Sequence, residues 1–333
     1  MSEAVLSVTF AGPLVTFQDA GRFGQMRYGV AASGPMDRLA FDAAHAALGN
    51  RAGGTAIEIS LGGLMLQCKS GEVTLAVTGG AFLVEHGAQK LQSWTILTLK
   101  KGERLAIRAG RAGSWAYLAF AGQPVVQDWL QSRATHSTSG FGGGALQAGQ
   151  TIMIADASTR EDRLGDIPQP DFGSEGAVGV VVGPQDQHFE SDAVARFLSE
   201  PYKVTDAYDR MGMRLNGPAL ALAGALSIPS EPIVRGSVQV SGDGVPTVLL
   251  ADHQTTGGYP KIATVISSET DRLAQLRSGQ VVRFTALSPE KAVTQARAYL
   301  DRKGKYLEEI SVPRGTLEQR LMRENLISGW VHV

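Results

Sequence analysis

Short apolar runs, many of them alternating or β-branched, recur along the whole chain. They fall at residues 5–10, 73–77, 94–99, 105–109, 115–119 and 151–154 in the first half, and at 177–182, 245–250, 262–266 and 280–284 in the second. Gly, Asn or Asp usually separates one run from the next. Short strands joined by tight turns are typical of antiparallel sandwiches and barrels. The pattern therefore predicts a mainly β fold with a few short helices.

Three stretches have the apolar spacing or the end signals of a helix. One covers residues 40–48 and ends at Gly49, and a second covers 194–198. The third begins with Ser288 as the N-cap and Pro289 at the first helical position. Serine favours N-caps, proline the first helical turn, and glycine the position after the last turn. We therefore expect few helices.

The stretch at residues 156–176 is polar, contains Pro168 and Pro170, and has neither a helical nor a strand period. Such segments are typical of connections between domains. A length of 333 residues also fits about two domains. We predict a β-rich domain at 1–160, a linker at 161–176, a second β-rich domain at 177–288, and C-terminal helices and a tail at 289–333.

Composition and charge narrow the possible partners. The chain has 31 Lys and Arg against 32 Asp and Glu, whereas nucleic-acid binding surfaces are strongly basic. Its single cysteine, Cys68, cannot form an internal disulfide, which fits a reducing compartment. The N-terminus lacks the pattern of a signal peptide, and the run at 217–229 is shorter than the roughly 18 apolar residues of a membrane span. We predict a cytoplasmic protein with no nucleic-acid or membrane partner.

Several common active-site motifs are absent from the sequence. No Gly-x-Ser-x-Gly elbow marks a hydrolase nucleophile, and no P-loop ends in Gly-Lys-Ser or Gly-Lys-Thr. The glycine-rich run at 140–145 superficially fits a dinucleotide fingerprint, but no amphipathic helix can begin there. The six histidines lack the paired spacing of zinc ligands, so we predict no metal site from them.

A long loop at residues 16–37 combines glycines with charged side chains. Glycine lets the backbone approach a ligand closely, and a guanidinium group suits an anion. Asp37 also precedes the predicted helix at 40–48, whose exposed N–H groups attract anions. The candidate site residues here are Arg22, Gly24, Gly34 and Asp37. The alternative is structural, with Asp37 only capping the helix and Arg22 pairing with Asp19.

A second segment, residues 238–261, carries amide, hydroxyl and phenol groups that can hydrogen-bond a small polar substrate. A Gly-Gly pair offers N–H groups to an oxyanion or phosphate, and a lysine supplies a nearby cation. The candidates are Gln239, Gln254, Thr255, Gly257, Gly258, Tyr259 and Lys261. A structural hairpin turn is the alternative, although a turn requires only the glycines.

Between these segments, Arg210 and Arg214 stand four residues apart. Arg210 can clamp a carboxylate or phosphate through two parallel N–H donors, so it is a further anion-binding candidate. Pairing with Asp206 or Asp209 is the ordinary alternative.

Together and in this order, the three segments resemble the KipA family, which is also known as the C subunit of 5-oxoprolinase. That family is related to allophanate hydrolase subunit 2 and to the carboxyltransferase domain of urea carboxylase. The resemblance covers approximately residues 5–300. The matching motifs are Gln18-Asp19-x-Gly21-Arg22-x-Gly24, Gly34-x-Met36-Asp37, Arg210-Met211-Gly212-x-Arg214-Leu215, Gln239-Val240 and Gln254-Thr255-Thr256-Gly257-Gly258-Tyr259-Pro260.

The resemblance implies two domains, with a cyclophilin-like β-barrel in the C-terminal half. It also implies an enzyme subunit whose partners are a KipI-like B subunit and a LamB/YcsF-like A subunit. Together these open the lactam of 5-oxoproline, a small-molecule substrate, to glutamate with ATP hydrolysis. An unstrained amide is a poor electrophile, and phosphorylation of its oxygen activates it toward water. ATP with its Mg²⁺ is therefore the expected cofactor.

The resemblance also suggests roles for the candidates. The catalytic candidates are Gln254, Thr255, Tyr259 and Asp37. The substrate-binding and anion-binding candidates are Arg22, Gly24, Gly34, Arg210, Gln239, Gly257, Gly258 and Lys261.

Two other functions fit the same motifs. One is carboxyl transfer from carboxybiotin to urea or a similar amide, which requires biotin on a separate protein because this chain has no Met-Lys-Met attachment stretch. The other is a regulatory module that binds a KipI-type inhibitor without turnover. A neighbouring gene for a LamB/YcsF-like protein favours the oxoprolinase, and one for a biotin carboxylase favours carboxyl transfer.

The chain departs from the family pattern at three places. The loop at 142–146 is shorter and lacks an arginine, and Tyr208 stands where serine is common. The tail at 307–333, with Trp330 and an amphipathic stretch at 317–326, has no counterpart in the family. We interpret the tail as an interaction or oligomerisation element or, alternatively, as a helix packed on the second domain.

Overall fold

The computed structural model describes residues 2–172, 176–224 and 228–324, and its architecture is mainly β, as the sequence predicts. The first sheet contains β1 (Glu3–Ala11), β2 (Thr16–Gln18), β3 (Ala56–Ile59), β4 (Leu64–Ser70), β5 (Glu72–His86), β6 (Gln89–Gln92), β7 (Thr95–Lys100), β8 (Arg104–Phe120), β9 (Gln123–Pro124), β10 (Thr151–Ala155) and β11 (Gly165–Asp166). The second contains β12 (Val178–Val182), β13 (Tyr202–Tyr208), β14 (Gly212–Asn216), β16 (Ser237–Val240), β17 (Pro246–Leu249), β19 (Lys261–Val265), β20 (Val281–Val282) and β21 (Phe284–Ala286), while β15 (Glu231–Pro232) pairs with β18 (Thr256–Gly257). The helices are α1 (Arg38–Leu48), α2 (Ala193–Ser199), α3 (Thr270–Ala274), α4 (Pro289–Ser311) and α5 (Leu317–Glu324), with single 3₁₀ turns at Met26–Tyr28, Glu161–Arg163 and Asp186–His188.

The first sheet is built around the long antiparallel pair β5 and β8. The sequence predicted two separate strands in the region of β8, at 105–109 and 115–119, and this prediction was wrong. The strand continues through this region because Gly110 lets the backbones of β8 and β5 approach closely. A Cβ at Gly110 would lie 1.8 Å from the carbonyl oxygen of Ala81. The pairing shifts register at Ala81, so β8 continues through a bulge where the apolar pattern is interrupted.

The second sheet nearly closes into a barrel. Its edge strands, β20 and β21, are separated in the chain only by Arg283, so the two ends of the eight-stranded sheet lie beside each other. Val238, Val248 and Ile262 are buried in its core. Closure of this kind leaves few unpaired edges, and it agrees with the expectation of a barrel in the C-terminal half.

Helix α1 begins and ends where the sequence predicts. The carboxylate of Asp37 accepts a hydrogen bond from the Ala40 N–H at 2.9 Å, and Gly49 ends the helix in the left-handed region. Helix α4 also begins as predicted, with Ser288 as its N-cap, but it extends over 23 residues. The expectation that all helices are short was therefore wrong for α4, which packs against α1 and the barrel.

The segment predicted as an interdomain linker is tied to the structure on both sides. Strand β11 pairs with β7 of the first sheet. Phe172 packs edge-on against Tyr299 and Tyr306 of α4, with ring centroids 5.6 and 5.9 Å apart. The predicted interaction element at 307–333 begins within α4 and includes α5, while Trp330 and the end of the amphipathic stretch lie outside the described residues.

The two sheets share an apolar core at their junction. One continuous cluster contains Phe41 of α1, Trp115 of the first sheet and Met213 of the barrel. The indole N–H of Trp115 donates to the hydroxyl of Tyr208 at 2.7 Å. Tyr208, which departs from the family pattern, therefore makes a contact across the junction. None of the helices in the described part of the chain has the length and apolar character that a membrane crossing requires.

Candidate functional site

Arg210 joins the three polar segments that the sequence singled out. Its buried guanidinium group donates two hydrogen bonds to the carboxylate of Asp252, at 2.9 and 3.0 Å. It donates a third to the carbonyl oxygen of Gly34, at 2.7 Å, and a fourth to the carboxylate of Glu58. Gly34 belongs to the first segment, and Asp252 to the segment at 238–261, which is the third in chain order. The fold therefore brings the three segments together.

The charges in this cluster stabilise one another. Burial lowers the pKa of Arg210, but the carboxylates of Asp252 and Glu58 more than compensate and raise it above its ordinary value. Burial likewise raises the pKa of Asp252, and the Arg210 charge brings it below its usual range. Pairing with Asp206 or Asp209, the alternative for Arg210, is not formed. Most N–H donors of Arg210 are bound by protein groups, so this side chain holds the three segments together. Its predicted role in ligand binding stays a prediction.

Glu58 and Tyr117 extend the network into the first sheet. One carboxylate oxygen of Glu58 accepts hydrogen bonds from the Met36 N–H and the Tyr117 hydroxyl, each at 2.8 Å. The same hydroxyl accepts from the Asp37 N–H at 2.7 Å. Sequence reasoning missed both side chains because they lie inside strands. The sequence feature that could have pointed to Glu58 is a carboxylate in the middle of the apolar strand β3, because a buried carboxylate requires a hydrogen-bond or ionic partner.

Arg235 holds the same segment from the barrel side. Its guanidinium group donates to the carbonyl oxygens of Pro35, at 2.8 Å, and of Met36, and it lies 3.7 Å from the carboxylate of Asp271. Burial lowers the pKa of Arg235 to about 10. Residues 34–37 are therefore fixed by side chains from both sheets, and the sequence analysis did not select Arg235.

Arg22 is buried and points at main-chain oxygens. Its Nε donates to the Trp129 carbonyl at 2.9 Å, and its Nη2 donates to the Ala134 carbonyl at 2.8 Å. The guanidinium carbon also lies 4.6 Å from the centroid of the Trp129 ring, which is a cation–π contact. Burial lowers the pKa of Arg22. Its Nη1 is also buried and has no hydrogen-bond partner among the described residues.

Asp19 does not pair with Arg22, so that alternative was wrong. The Asp19 carboxylate accepts hydrogen bonds from the Gly21 N–H at 2.9 Å, the Ser132 hydroxyl at 2.7 Å and the Arg133 N–H at 2.6 Å. It therefore fixes the shape of the loop that surrounds Arg22.

Residues 129–137, which accept hydrogen bonds from Arg22 at Trp129 and Ala134, also reach the Arg210 cluster. The Ser137 N–H donates to the carboxylate of Asp252 at 2.9 Å. The charge of Asp252 in turn acts on Arg22 and partly offsets the effect of burial on its pKa. Gly24, two residues after Arg22 in the loop at 16–37, has no described atom within 4 Å of its would-be Cβ. Arg22 and Arg210 therefore belong to one connected region.

The third segment divides into buried and exposed parts. The side-chain amide of buried Gln239 donates to the Tyr259 carbonyl at 3.3 Å, and the ammonium of buried Lys261 donates to the Pro232 carbonyl at 3.2 Å. Gln254 is exposed, and Tyr259 is 47% exposed. The first two side chains are thus held by protein groups, whereas the last two face outward.

The glycine pair of this segment is tightly packed on one side. A Cβ on Gly257 would lie 2.4 Å from the amide nitrogen of Gln239. Gly258 accepts a main-chain hydrogen bond from the Ile228 N–H at 2.8 Å, and Thr255 is half-buried. These positions describe a fixed turn with polar groups on its outer side.

His253 lies between the buried and exposed parts and was not selected from the sequence. Its Nδ1 is 2.6 Å from the Gln254 carbonyl oxygen. Burial lowers its pKa, so the ring is neutral near pH 7. His253 directly follows Asp252 in the chain, so the Asp-His dipeptide is the sequence feature that could have pointed to it.

Asp37 faces a cavity of about 650 Å³ between the first sheet, the barrel and α4. One oxygen of Asp37 caps α1, and the other accepts from the Gln275 side chain at 2.7 Å. Burial, and then the neighbouring Asp271 carboxylate, raise the pKa of Asp37 to about 6. The charge of Arg38, 3.1 Å from Asp271, overcomes the effect of burial on Asp271 and keeps its pKa below the usual value. Asp37 is therefore the N-cap of α1, as the structural alternative predicted. It is also a carboxylate in the wall of the cavity, with a pKa of about 6.

Comparison with known families identifies this arrangement. The family described as carboxyltransferase domain, subdomain A and B, matches residues 28–286, which include the end of the first segment and the whole of the other two. The chain belongs to the carboxyltransferase domain family. Both sheets of the carboxyltransferase domain fall largely within the match, so the Arg210 cluster lies inside the family region.

Relatives of this carboxyltransferase domain include enzyme subunits. The chain is 33% identical to a protein of Haemophilus influenzae named as the C subunit of 5-oxoprolinase, over 88% of this chain and 96% of that protein. It is 29% identical to the urea amidolyase of Saccharomyces cerevisiae over 86% of this chain, but it covers only 17% of that protein. The first relative is therefore matched over nearly its full length, and the second over a small part.

A solved structure shares the fold. The urea carboxylase of Kluyveromyces lactis superimposes with a TM-score of 0.81 over 93% of this chain and 30% of that chain, at 24% identity. This carboxyltransferase domain thus spans less than a third of that enzyme. In the described part of the domain, no group of three or more His, Cys, Asp or Glu side chains is arranged to hold a metal ion.

Proposed function

We propose that this protein is the C subunit of an ATP-dependent 5-oxoprolinase, which converts 5-oxoproline to glutamate together with partner subunits. The observation that carries the proposal is the 33% identity to the Haemophilus influenzae protein of that name across 96% of its length. Relatives that share only one domain of a longer enzyme give weaker support, because most of their length lies outside this fold.

The exposed side chains support a role in a complex. Gln254 and Tyr259 face outward from a turn whose other polar groups are held inside the protein. Small-molecule sites normally bury most of their ligand, which an open face cannot do alone. We therefore infer that a partner covers this face, and the resemblance assigns that role to the KipI-like and LamB/YcsF-like subunits.

In this proposal, side chains near the face bind and orient the lactam. The Nη1 of Arg22 has no partner among the described residues, so it can donate to a carboxylate or phosphate oxygen. Gln254, Thr255 and Tyr259 supply amide and hydroxyl groups for the ring amide of the substrate. Arg210, Gln239 and Lys261 position these groups, because their own donors are engaged by protein atoms. Accurate placement of reacting groups is a large part of enzymatic phosphoryl transfer.

ATP supplies the activation of the lactam oxygen in this scheme. In this scheme the Nη1 of Arg22 donates either to a phosphate oxygen or to the substrate carboxylate, because guanidinium groups bind both. We expect Mg²⁺ to arrive with the nucleotide, whose phosphates provide oxygen ligands. Each oxygen of Asp37 already accepts one hydrogen bond from the protein, and its proposed catalytic role is indirect, through the position of α1 and of residues 34–37.

A second candidate function is carboxyl transfer. The family description and the 29% identity to a urea amidolyase favour it. The carboxyl group would come from biotin carried by a separate protein, and the acceptor would be urea or another amide. A third candidate is a regulator that binds a KipI-like protein without turnover.

Reconstitution distinguishes these candidates. The protein is co-expressed and purified with its KipI-like and LamB/YcsF-like partners, and glutamate and ADP are measured with 5-oxoproline as substrate. The proposal expects both products in equal amounts, and only when all three proteins are present. Carboxybiotin-dependent carboxylation of urea would instead assign the second function. A stable complex without turnover of either substrate would assign the third.

A further inference from the structure

A second cavity, of about 490 Å³, lies in the first domain beside the loop that surrounds Arg22. A Cβ on Gly53, one of its lining residues, would be 3.2 Å from the Ala20 side chain of that loop. The titratable side chains that line the cavity are Arg51, Arg133, Arg160, Asp156 and His45. Three guanidinium groups thus face one carboxylate, and none of the candidate site residues lines this space.

Within the described ranges, the three arginines lack partners of opposite charge. None of their guanidinium groups has a described carboxylate within 4.0 Å, whereas the ion pairs of the protein include Arg210 with Glu58 and Arg235 with Asp271. The side chain of Arg133 has one long hydrogen bond, at 3.4 Å, to the hydroxyl of Thr55. Cations gathered in a concave surface without counter-charges create a positive potential that attracts anions.

His45 supplies a second observation that points to a ligand. It lies on α1, lines the cavity and is 2% exposed, yet its Nε2 has no hydrogen-bond partner among the described residues. Its Nδ1 lies 3.3 Å from the Asn50 amide nitrogen. Burial lowers the pKa of His45 to about 4, so the ring is neutral near pH 7. A buried polar atom without a partner is costly, and a ligand in the cavity would remove that cost.

The turn after α1 adds main-chain donors. Residues 51–54 line the cavity, and their N–H groups donate no hydrogen bond to other described atoms. Successive free N–H groups in a turn are suited to oxyanions. Guanidinium groups, amide N–H groups and a neutral imidazole together resemble sites for phosphate or carboxylate groups more than sites for cations or apolar ligands.

We propose that this cavity binds a small anion through a phosphate or carboxylate group, with Arg51, Arg133 and Arg160 as the charged contacts. The proposal does not depend on the oxoprolinase activity, because the two sets of residues are separate. The main-chain N–H of Arg133 donates to Asp19 of the Arg22 loop, so one residue connects the cavity to that loop.

Isothermal titration of the full-length chain tests the proposal, with inorganic phosphate and succinate as probes and chloride at equal ionic strength as reference. We expect saturable binding of at least one probe, weakening as salt is added. Arg51→Gln and Arg160→Gln should each weaken it about tenfold, as loss of a charged hydrogen bond implies. Both side chains are exposed, so these variants should fold.

The matched control is Arg297→Gln, an exposed arginine on α4, which should bind as the parent does. Binding of phosphate alone would assign a phosphate ligand, and binding of succinate alone a carboxylate ligand. Absence of saturable binding of both probes at millimolar concentration would overturn the proposal. Equal affinity in the parent and in the double variant Arg51→Gln, Arg160→Gln would also overturn it. A folded state, checked by circular dichroism, is required of every variant.

Discussion

Arg210 of the barrel and Glu58 of the first sheet form a fully buried ion pair across the junction of the two sheets. The two residues are 152 positions apart in the chain. The same guanidinium group holds Gly34 and Asp252, so the junction of the two sheets and the framework of the candidate site share one side chain. Changes at this position should therefore affect the stability of the whole protein before they affect chemistry.

Substitution Arg210→Ala should strongly destabilise the protein. It leaves the buried carboxylates of Glu58 and Asp252 without their counter-charge, and loss of one partner from a buried pair costs about 3–5 kcal/mol. The midpoint of urea unfolding measures the effect. The control is Arg214→Ala four residues later, whose pair with Asp243 is largely exposed and should contribute about 1 kcal/mol or less. Similar midpoints for the two variants would show that the buried cluster does not stabilise the junction.

The sequence predicts the local features of this region better than its long-range contacts. Asp37 as the cap of α1 was foreseeable, because the acceptor and the Ala40 donor are three residues apart. The partners considered for Arg210 lay within four residues of it, but the real ones are 42 and 152 positions away. Pairing between distant carboxylates and arginines follows from how the two sheets pack, which no local pattern contains.

Asp37 should contribute a stabilisation that is lost as pH rises from about 4 to 6, while buried His45, whose pKa is lowered to about 4, contributes the opposite change over the same range. The pKa of Asp37 is raised to about 6 in the folded state, so folding favours the protonated form. The resulting stabilisation is present below the unfolded pKa of about 4 and is lost as pH rises through 6. A shift of about 2 units corresponds to roughly 3 kcal/mol.

Urea unfolding of the parent and of Asp37→Asn at several pH values measures this contribution. The variant keeps an oxygen for the cap but does not titrate. The stability of the parent relative to that of the variant should therefore fall between about pH 4 and 6, because the contribution of His45 is common to both proteins. Asp271 is not expected to contribute there, because its lowered pKa places its own titration at more acidic pH. If the free energy of unfolding changed equally with pH in the parent and in the variant, Asp37 would not contribute to the pH dependence.

Substitution Tyr259→Phe should reduce turnover of the reconstituted enzyme without destabilising the protein. The ring is 47% exposed, so loss of the hydroxyl alters little in the folded chain. If the hydroxyl contacts the substrate, loss of one hydrogen bond should lower kcat/KM about tenfold. Tyr28→Phe is the matched control, since that ring is 66% exposed and was not selected as a site residue. Full activity of Tyr259→Phe, with normal assembly of the complex, would exclude the hydroxyl from the site.

Substitution Gly257→Ala should introduce one close contact, and this contact should disturb the turn that carries Tyr259. The added Cβ would lie 2.4 Å from the amide nitrogen of Gln239, so the amide must move and lose its hydrogen bond to the Tyr259 carbonyl. Overpacking of this kind costs about 1–3 kcal/mol. Differential scanning calorimetry measures the loss. Gly304→Ala on α4, where no described atom lies within 4 Å of the would-be Cβ, should instead stabilise the helix by up to about 1 kcal/mol.

The double variant Gly257→Ala, Gln239→Ala separates this contact from other effects of the extra methyl group. Removal of the amide gives the new Cβ space, so the double variant should be destabilised by less than the sum of the two single variants. The backbone of Gly257 lies outside the left-handed region, unlike that of Gly34, and the next neighbour of its would-be Cβ, the Ile233 side chain, is 3.3 Å away. Simple additivity would mean that the backbone of the turn, and not the Gln239 amide, requires glycine at this position.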